Sequence, residues 1–246
     1  MDVPYFLSKY DPDPLRYYLT AVAPETRDTE FAWEEFVERN NNELVATWGN
    51  LVNRMLGFAY KRFDGQVPEP GGPSGTSGQG LDADDRALLK KVEGGFEAVG
   101  ELLDACRFRA ALAEAMALAR EANVYLDRKA PWFQIKEDRE AAATTVYVIL
   151  RAIDNLKTIL SPFLPHTAQQ LHEYLGYDGQ LFGTQHVVEY EEENRSHLAL
   201  TYDHSGATGA WEPSDLQPGQ ALRKPSPLFK KLDEELVDEE YARLAE

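Results

Sequence analysis

The sequence predicts an all-α protein: a helical bundle followed by an irregular acidic tail. Three observations carry this. Apolar residues recur at three- and four-residue steps in successive long segments. Those segments are separated by proline- and glycine-rich breaks. After Gly176 the helical period fades, and short apolar pieces alternate with acids and turn residues. The divisions are a lead-in over 1–30, a bundle over 31–176 and a tail over 177–246.

In chain order, residues 1–10 form an amphipathic lead-in. Asp11-Pro12-Asp13-Pro14 offers an N-cap and a first-turn proline, and Leu15, Tyr18, Leu19 and Val22 follow at helical spacing until Pro24. After the polar loop Thr26–Glu30, a long helix runs from Trp33 to about Phe63, its stripe made by Leu44, Trp48, Leu51, Val52, Met55 and Ala59. Asn50 and Arg54 stand one turn apart, beside that stripe, where plain solvated surface is the ordinary outcome. Residues 66–80, rich in Pro, Gly and Ser, predict a flexible loop, and their glycine spacing does not match a phosphate-binding loop. Further helices are predicted over about 82–104, 107–129, 137–160 and 166–175, with a final acidic helix over 233–245. The helix at 137–160 carries the stripe Val146, Ile149, Leu150, Ile153 and Leu156.

Tyr125-Leu126-Asp127-Arg128-Lys129-Ala130-Pro131-Trp132-Phe133 is the most informative stretch. Proline biases Ala130 out of the α region and ends the incoming helix, so Trp132 falls at a helix junction rather than on a helix face. A tryptophan there can fill the core or present its ring outward. Arg128, Lys129 and Lys136 place positive charge around it.

Composition sets bounds. The hydrophobic fraction of 43% is that of a globular chain. Cys106 is the single cysteine, so neither an internal disulfide nor a cysteine-based zinc site can form. No apolar run reaches membrane-spanning length, the N-terminal residues do not read as a signal peptide, and a cytoplasmic location is expected. The net charge of −17 argues against a general nucleic-acid coat while leaving room for a local basic site. His166, His172, His186, His197 and His204 form no metal-spaced pair, and no catalytic constellation stands out. What the residues do offer is recognition chemistry. Asn and Arg can read base edges, and an exposed tryptophan can stack on an unpaired base.

Tyr10–Leu19, Trp48–Arg54, Lys61–Gly65 and Asn123–Trp132, with tail segments Asp203–Gly209 and Pro227–Leu232, resemble the C-terminal part of bacterial, and especially actinobacterial, methionyl-tRNA synthetases. The resemblance spans nearly the whole chain. It implies an anticodon-binding helical bundle whose partner is the anticodon loop of methionine tRNA. It implies that Trp132 stacks on an anticodon base, that Asn50 and Arg54 contact anticodon bases, that Pro131 fixes the tryptophan's loop, and that the peptide around Pro227–Leu232 packs back against the body of the enzyme. Arg128, Lys129 and Lys136 are possible supporting basic residues. Family members also carry a catalytic domain with the HIGH and KMSKS signatures, which use ATP and magnesium, and a zinc-binding insertion. None of these motifs occurs here. The chain begins about where the stem-contact segment after KMSKS would begin. The expectation is therefore anticodon recognition without cofactor, metal or catalytic residues, inactive alone in methionine–tRNA ligation and served by a catalytic domain or chain supplied separately. Two alternatives stay open: an incompletely read full ligase, and a tRNA-independent protein-interaction module derived from the family.

Overall fold

The structure, a computed structural model, describes residues 2–25, 28–71 and 80–244. Most of the predicted 66–80 loop, and part of the Thr26–Glu30 loop, lie outside the described residues. Helices α1 (Val3–Lys9) and α2 (Pro12–Ala21) each carry proline in the first turn, where its missing N–H costs nothing. The long helix expected from Trp33 is continuous but not uniform. It begins as α3 (Trp33–Arg39), passes through a π-helical segment, Asn40–Gly49, and continues as α4 (Asn50–Arg62). Then follow α5 (Ala83–Asp104), α6 (Phe108–Lys129), α7 (Pro131–Glu137), α8 (Arg139–Leu160) and α9 (Pro165–Tyr174). Helix α5 opens on a reciprocal capping box between Asp82 and Asp85. Asp138 caps α8 by accepting from the Glu140 and Ala141 amides.

Helix α8 is the axis of the bundle and packs against α4, α5, α6, α7 and α9. Its predicted stripe is buried, and so are Ala142, Ala143, Val148 and Ala152 around it. A helix apolar on every side belongs in the middle. Several of its buried polar groups have partners, although Asn155 Nδ2 and Arg151 Nε have none among the described residues. Lys157 pairs with Asp154 at 2.5 Å, Tyr177 Oη donates to Asp154 at 2.8 Å, and the Ser214 amide donates to Asn155 Oδ1 at 2.6 Å.

Two of those partners, Tyr177 and Ser214, belong to the residues after Gly176, and this corrects the expectation of an appended, irregular tail. Thr184–Glu192 (β1) and Arg195–Asp203 (β2) pair antiparallel, with Val187 opposite Leu200 and Glu189 opposite Leu198. Leu198, Leu200 and Tyr202 do show a period of two. The hairpin escaped the reading because it has no buried face to set against a polar one: Val187, Leu198 and Leu200 are all exposed. Beyond the hairpin, Leu216, Leu222, Leu228 and Phe229 enter the main core. Trp211 Nε1 donates to the Phe96 carbonyl at 3.0 Å.

The peptide Pro227–Leu232 runs back over the π-helical segment. Asn40 Nδ2 donates to the Lys230 carbonyl at 3.0 Å, and Asn41 exchanges two 2.9 Å hydrogen bonds with the Leu232 backbone. Gly49 permits the approach: a Cβ there would lie 3.1 Å from the Phe229 ring and 2.9 Å from the Leu44 carbonyl oxygen. The chain closes with α10 (Glu235–Leu244), the acidic helix expected at this end. It adds Leu236 and Val237 to a second core of Phe6, Leu15, Tyr18, Trp33, Phe36 and Val37. Its buried Glu240 accepts from the Tyr5 and Tyr10 hydroxyls. Among the described residues no helix is long and apolar enough to cross a membrane.

His172 sits where α8, α9 and the tail meet. It is buried, stacks on Tyr177 with centroids 4.8 Å apart, and has Lys157 Nζ 3.4 Å from Nδ1. Burial, and then the Lys157 ammonium, hold its pKa below the ordinary value. The unfolded chain therefore takes up a proton near pH 6.5 that the folded chain resists. Stability from this site is full above that pH and is lost as pH falls below it. Thermal unfolding should show a lower midpoint at about pH 5.5 than at about pH 7.5, and His172→Gln should flatten that difference.

Candidate nucleic-acid interface

The site forms where α4 begins, opposite the turn between α6 and α7. Helix α6 stops because Ala130 takes a left-handed conformation, φ 45° and ψ 64°, as the following proline disfavours the α region. Helix α7 starts in the next residue, with buried Pro131 at its first position. Trp132 therefore lies in the first turn of a short helix, where the sequence predicts a junction between helices. Its ring is half-buried against the bundle core. Both of the roles left open for it are thus partly realised: one side packs and the rest is accessible.

Arg54 reaches across from α4, and its guanidinium carbon lies 4.6 Å from the centroid of the Trp132 ring. Such a placement over an indole face is attractive, because the cation meets the negative face of the ring. Asn50 is exposed one turn earlier on the same helix. Periodicity alone placed Asn50 and Arg54 beside the apolar stripe but gave no reason for them to meet Trp132. The structure brings Arg54 and Trp132 into contact and leaves Asn50 open on the adjoining turn. A side chain of α6 holds the two elements together: Asn123 Nδ2 donates to the Thr47 carbonyl at 3.2 Å, just ahead of α4, and to the Ala119 carbonyl at 3.0 Å.

The basic residues divide. Lys136 is exposed, with its ammonium 5.6 Å from the Phe133 ring centroid. Arg128 is more than half exposed and makes only a long contact, 3.4 Å, with Asp84. Lys129 differs. It is drawn in to Asp82 and Asp85 at the start of α5, 2.8 Å from Asp85, and only 13% of its side chain is exposed. Asp85 is itself buried and accepts from Tyr125 Oη at 2.8 Å. The Lys129 ammonium helps hold the Asp82 carboxyl down to about 2. Lys129 thus fastens α6 to α5 through its two carboxylate partners. Its adjacency to Trp132 in sequence concealed this, because its partners lie more than forty residues upstream. The residue that the sequence reading left without a role is Phe133, 63% exposed beside Trp132. A cleft of about 840 Å³ lies elsewhere, between Lys9–Asp11 and the Phe229–Leu236 peptide.

Residues 73–197 match the family described as the anticodon binding domain of methionyl tRNA ligase, and residues 1–56 match the one described as tRNA synthetases class I (M). The chain belongs to the methionyl-tRNA synthetase family. It is 54% identical over 244 residues to the methionine–tRNA ligase of Thermomicrobium roseum, covering 98% of this chain and 40% of that protein. It is 55% identical over 240 residues to that of Chloroflexus aurantiacus, covering 97% and 38%. The apo methionyl-tRNA synthetase of Mycobacterium tuberculosis superposes with a TM-score of 0.73 at 26% identity, over 95% of this chain and 41% of that one. The chain thus spans about 40% of the length of these methionyl-tRNA synthetases and corresponds to their anticodon-binding region.

A zinc ion bound by some family members would need a cluster of donors. Cys106 is exposed, and among the described residues no group of three or more His, Cys, Asp and Glu could hold a metal. The residues described here do not fit such an ion. The structural role of Lys129 leads to a test. Lys129→Met should lower the free energy of urea unfolding by about 2 kcal/mol, because it strands the buried Asp85 carboxylate.

Proposed function

We propose that this chain recognises the anticodon loop of methionine tRNA and serves methionine–tRNA ligation in a protein that also provides a catalytic domain. The observation that carries the proposal is the corner formed by Arg54 and Trp132, with Asn50 on the next turn. Its chemistry suits an unpaired loop. Trp132 supplies a stacking face. Arg54 and Asn50 supply paired donors and acceptors for base edges, and Arg128 and Lys136 supply positive charge for phosphates. The chain as a whole carries a net charge of −17, so polyanions are repelled in general and binding depends on local contacts such as these. Membership of the anticodon-binding family supports the choice of ligand. The reaction itself, with its ATP and magnesium, is assigned to the part of the family's length that this chain does not span.

Binding starts with the charge near the corner, which captures the loop at long range. The guanidinium of Arg54 then exchanges its contact with the indole for contacts to base edges, and the freed ring area takes a base. Because stacking and edge reading act on the same nucleotides, the corner selects a loop sequence as well as a single strand.

A second reading, a protein-interaction module, is favoured by one observation: Val187, Leu198, Leu200 and Tyr202 leave one face of the hairpin open to solvent. It predicts partner binding without salt-sensitive RNA affinity.

The proposal is tested by measuring the affinity of the chain for methionine tRNA by filter binding. Trp132→Ala should weaken binding by at least about tenfold and leave the helical circular dichroism unchanged. Unchanged affinity would refute the reading.

A further inference from the structure

The proposed loop-binding corner contains a second aromatic ring for which the fold has no use. Along α7, Pro131 is buried, and Trp132 and Ile135 pack against the main core. Phe133 turns the other way and keeps 63% of its surface in water. An exposed phenylalanine by itself is ordinary. This one differs in its surroundings. Its ring lies 6.4 Å from that of Trp132, and the two planes are inclined at 64°. Lys136, one turn later, has its ammonium 5.6 Å from the Phe133 centroid. Trp132 is half-buried, with Arg54 lying over its ring. Phe133 is therefore the more open aromatic surface at this corner.

We propose that Phe133 is a second base-stacking platform, which takes the nucleobase next to the one on Trp132 in an unpaired RNA loop, with Lys136 meeting that nucleotide's phosphate. The inference rests on the reading of the corner as an anticodon-loop site. Geometry supplies the specificity for a loop. Two bases lying one on each ring would be inclined to each other as the rings are, at 64°, and could not remain stacked on one another. A helical stem cannot meet that demand, whereas a loop with splayed bases can. The contact is tolerant of base identity, because every base presents a π-face. Phe133 therefore adds affinity and holds the loop open, and leaves the reading of base edges to Asn50 and Arg54.

The test uses the 246-residue chain and a synthetic hairpin carrying the methionine anticodon loop, with binding read by fluorescence anisotropy. Phe133→Ala and Phe133→Leu should each bind about tenfold more weakly, and Phe133→Tyr within about twofold of the parent, because leucine keeps the apolar bulk but loses the π-face. Hairpins with one abasic site, moved through the loop, then locate the contact. At one position the parent and Phe133→Ala should bind equally, and that position should adjoin the one that equalises the parent and Trp132→Ala. The inference is overturned if Phe133→Ala and Phe133→Leu bind every hairpin as the parent does while Trp132→Ala is weakened. It is also overturned if the Phe133→Ala loss persists on every abasic hairpin, which would make Phe133 a brace for Trp132. If Trp132→Ala too binds as the parent does, the anticodon-loop reading falls and this inference falls with it.

Discussion

The turn at Ala130–Pro131 is the constraint on which the site depends. Proline at 131 makes a continued α-helix unfavourable for residue 130, and the chain answers with a left-handed alanine. That conformation costs a residue with a Cβ about 1–2 kcal/mol. Local hydrogen bonds offset the cost. The Ala130 amide still donates to Leu126 at 2.8 Å, and its carbonyl accepts from Phe133 at 2.9 Å and Gln134 at 3.3 Å. One helix therefore closes and the next opens at a single residue whose own amide and carbonyl are both paired. Trp132 follows this turn directly and lies under the Arg54 guanidinium.

The other half of the corner is set by the long helix. Its π-helical segment, Asn40–Gly49, ends where α4 begins, so Asn50 and Arg54 occupy the first turns of regular helix after a stretch of wider turns. Such segments tend to mark functional regions. Here the segment has two visible jobs. Its first asparagines hold the Lys230–Leu232 backbone, and its Thr47 carbonyl receives Asn123 of α6. The same stretch thus connects the C-terminal peptide at one end to the Trp132-bearing elements at the other. The residues after Gly176 are part of the bundle: Phe229 lies against Gly49, Tyr177 donates to Asp154, and the Ser214 amide donates to Asn155 Oδ1.

Much of this was legible in the sequence, because helices that bury one stripe advertise it. The spans of α5, α6, α8 and α9 follow from apolar spacing and from the prolines between them. The parts that were not legible fail for separate physical reasons. The depth of α8 depends on how many neighbours surround it, which a single stripe cannot report. A π-helical segment differs from an α-helix in hydrogen-bond partner, not in composition. The hairpin has no buried face. Lys129 looked like part of a basic cluster because its carboxylates come from α5, distant in sequence. Asn50, Arg54, Pro131 and Trp132 were singled out through family resemblance. The residues alone left Trp132 divided between core and ligand, and its half-buried ring reflects that division.

The central claim is that Arg54 and Trp132 together read a loop sequence. The most direct measurement is the ratio of affinities for the methionine anticodon hairpin and for a hairpin with one anticodon base exchanged, taken on the parent chain and on Arg54→Lys. Lysine keeps the charge but loses the planar two-pronged donor. The account predicts a ratio of about tenfold or more for the parent, falling toward one in Arg54→Lys. Equal ratios in the two proteins would contradict it.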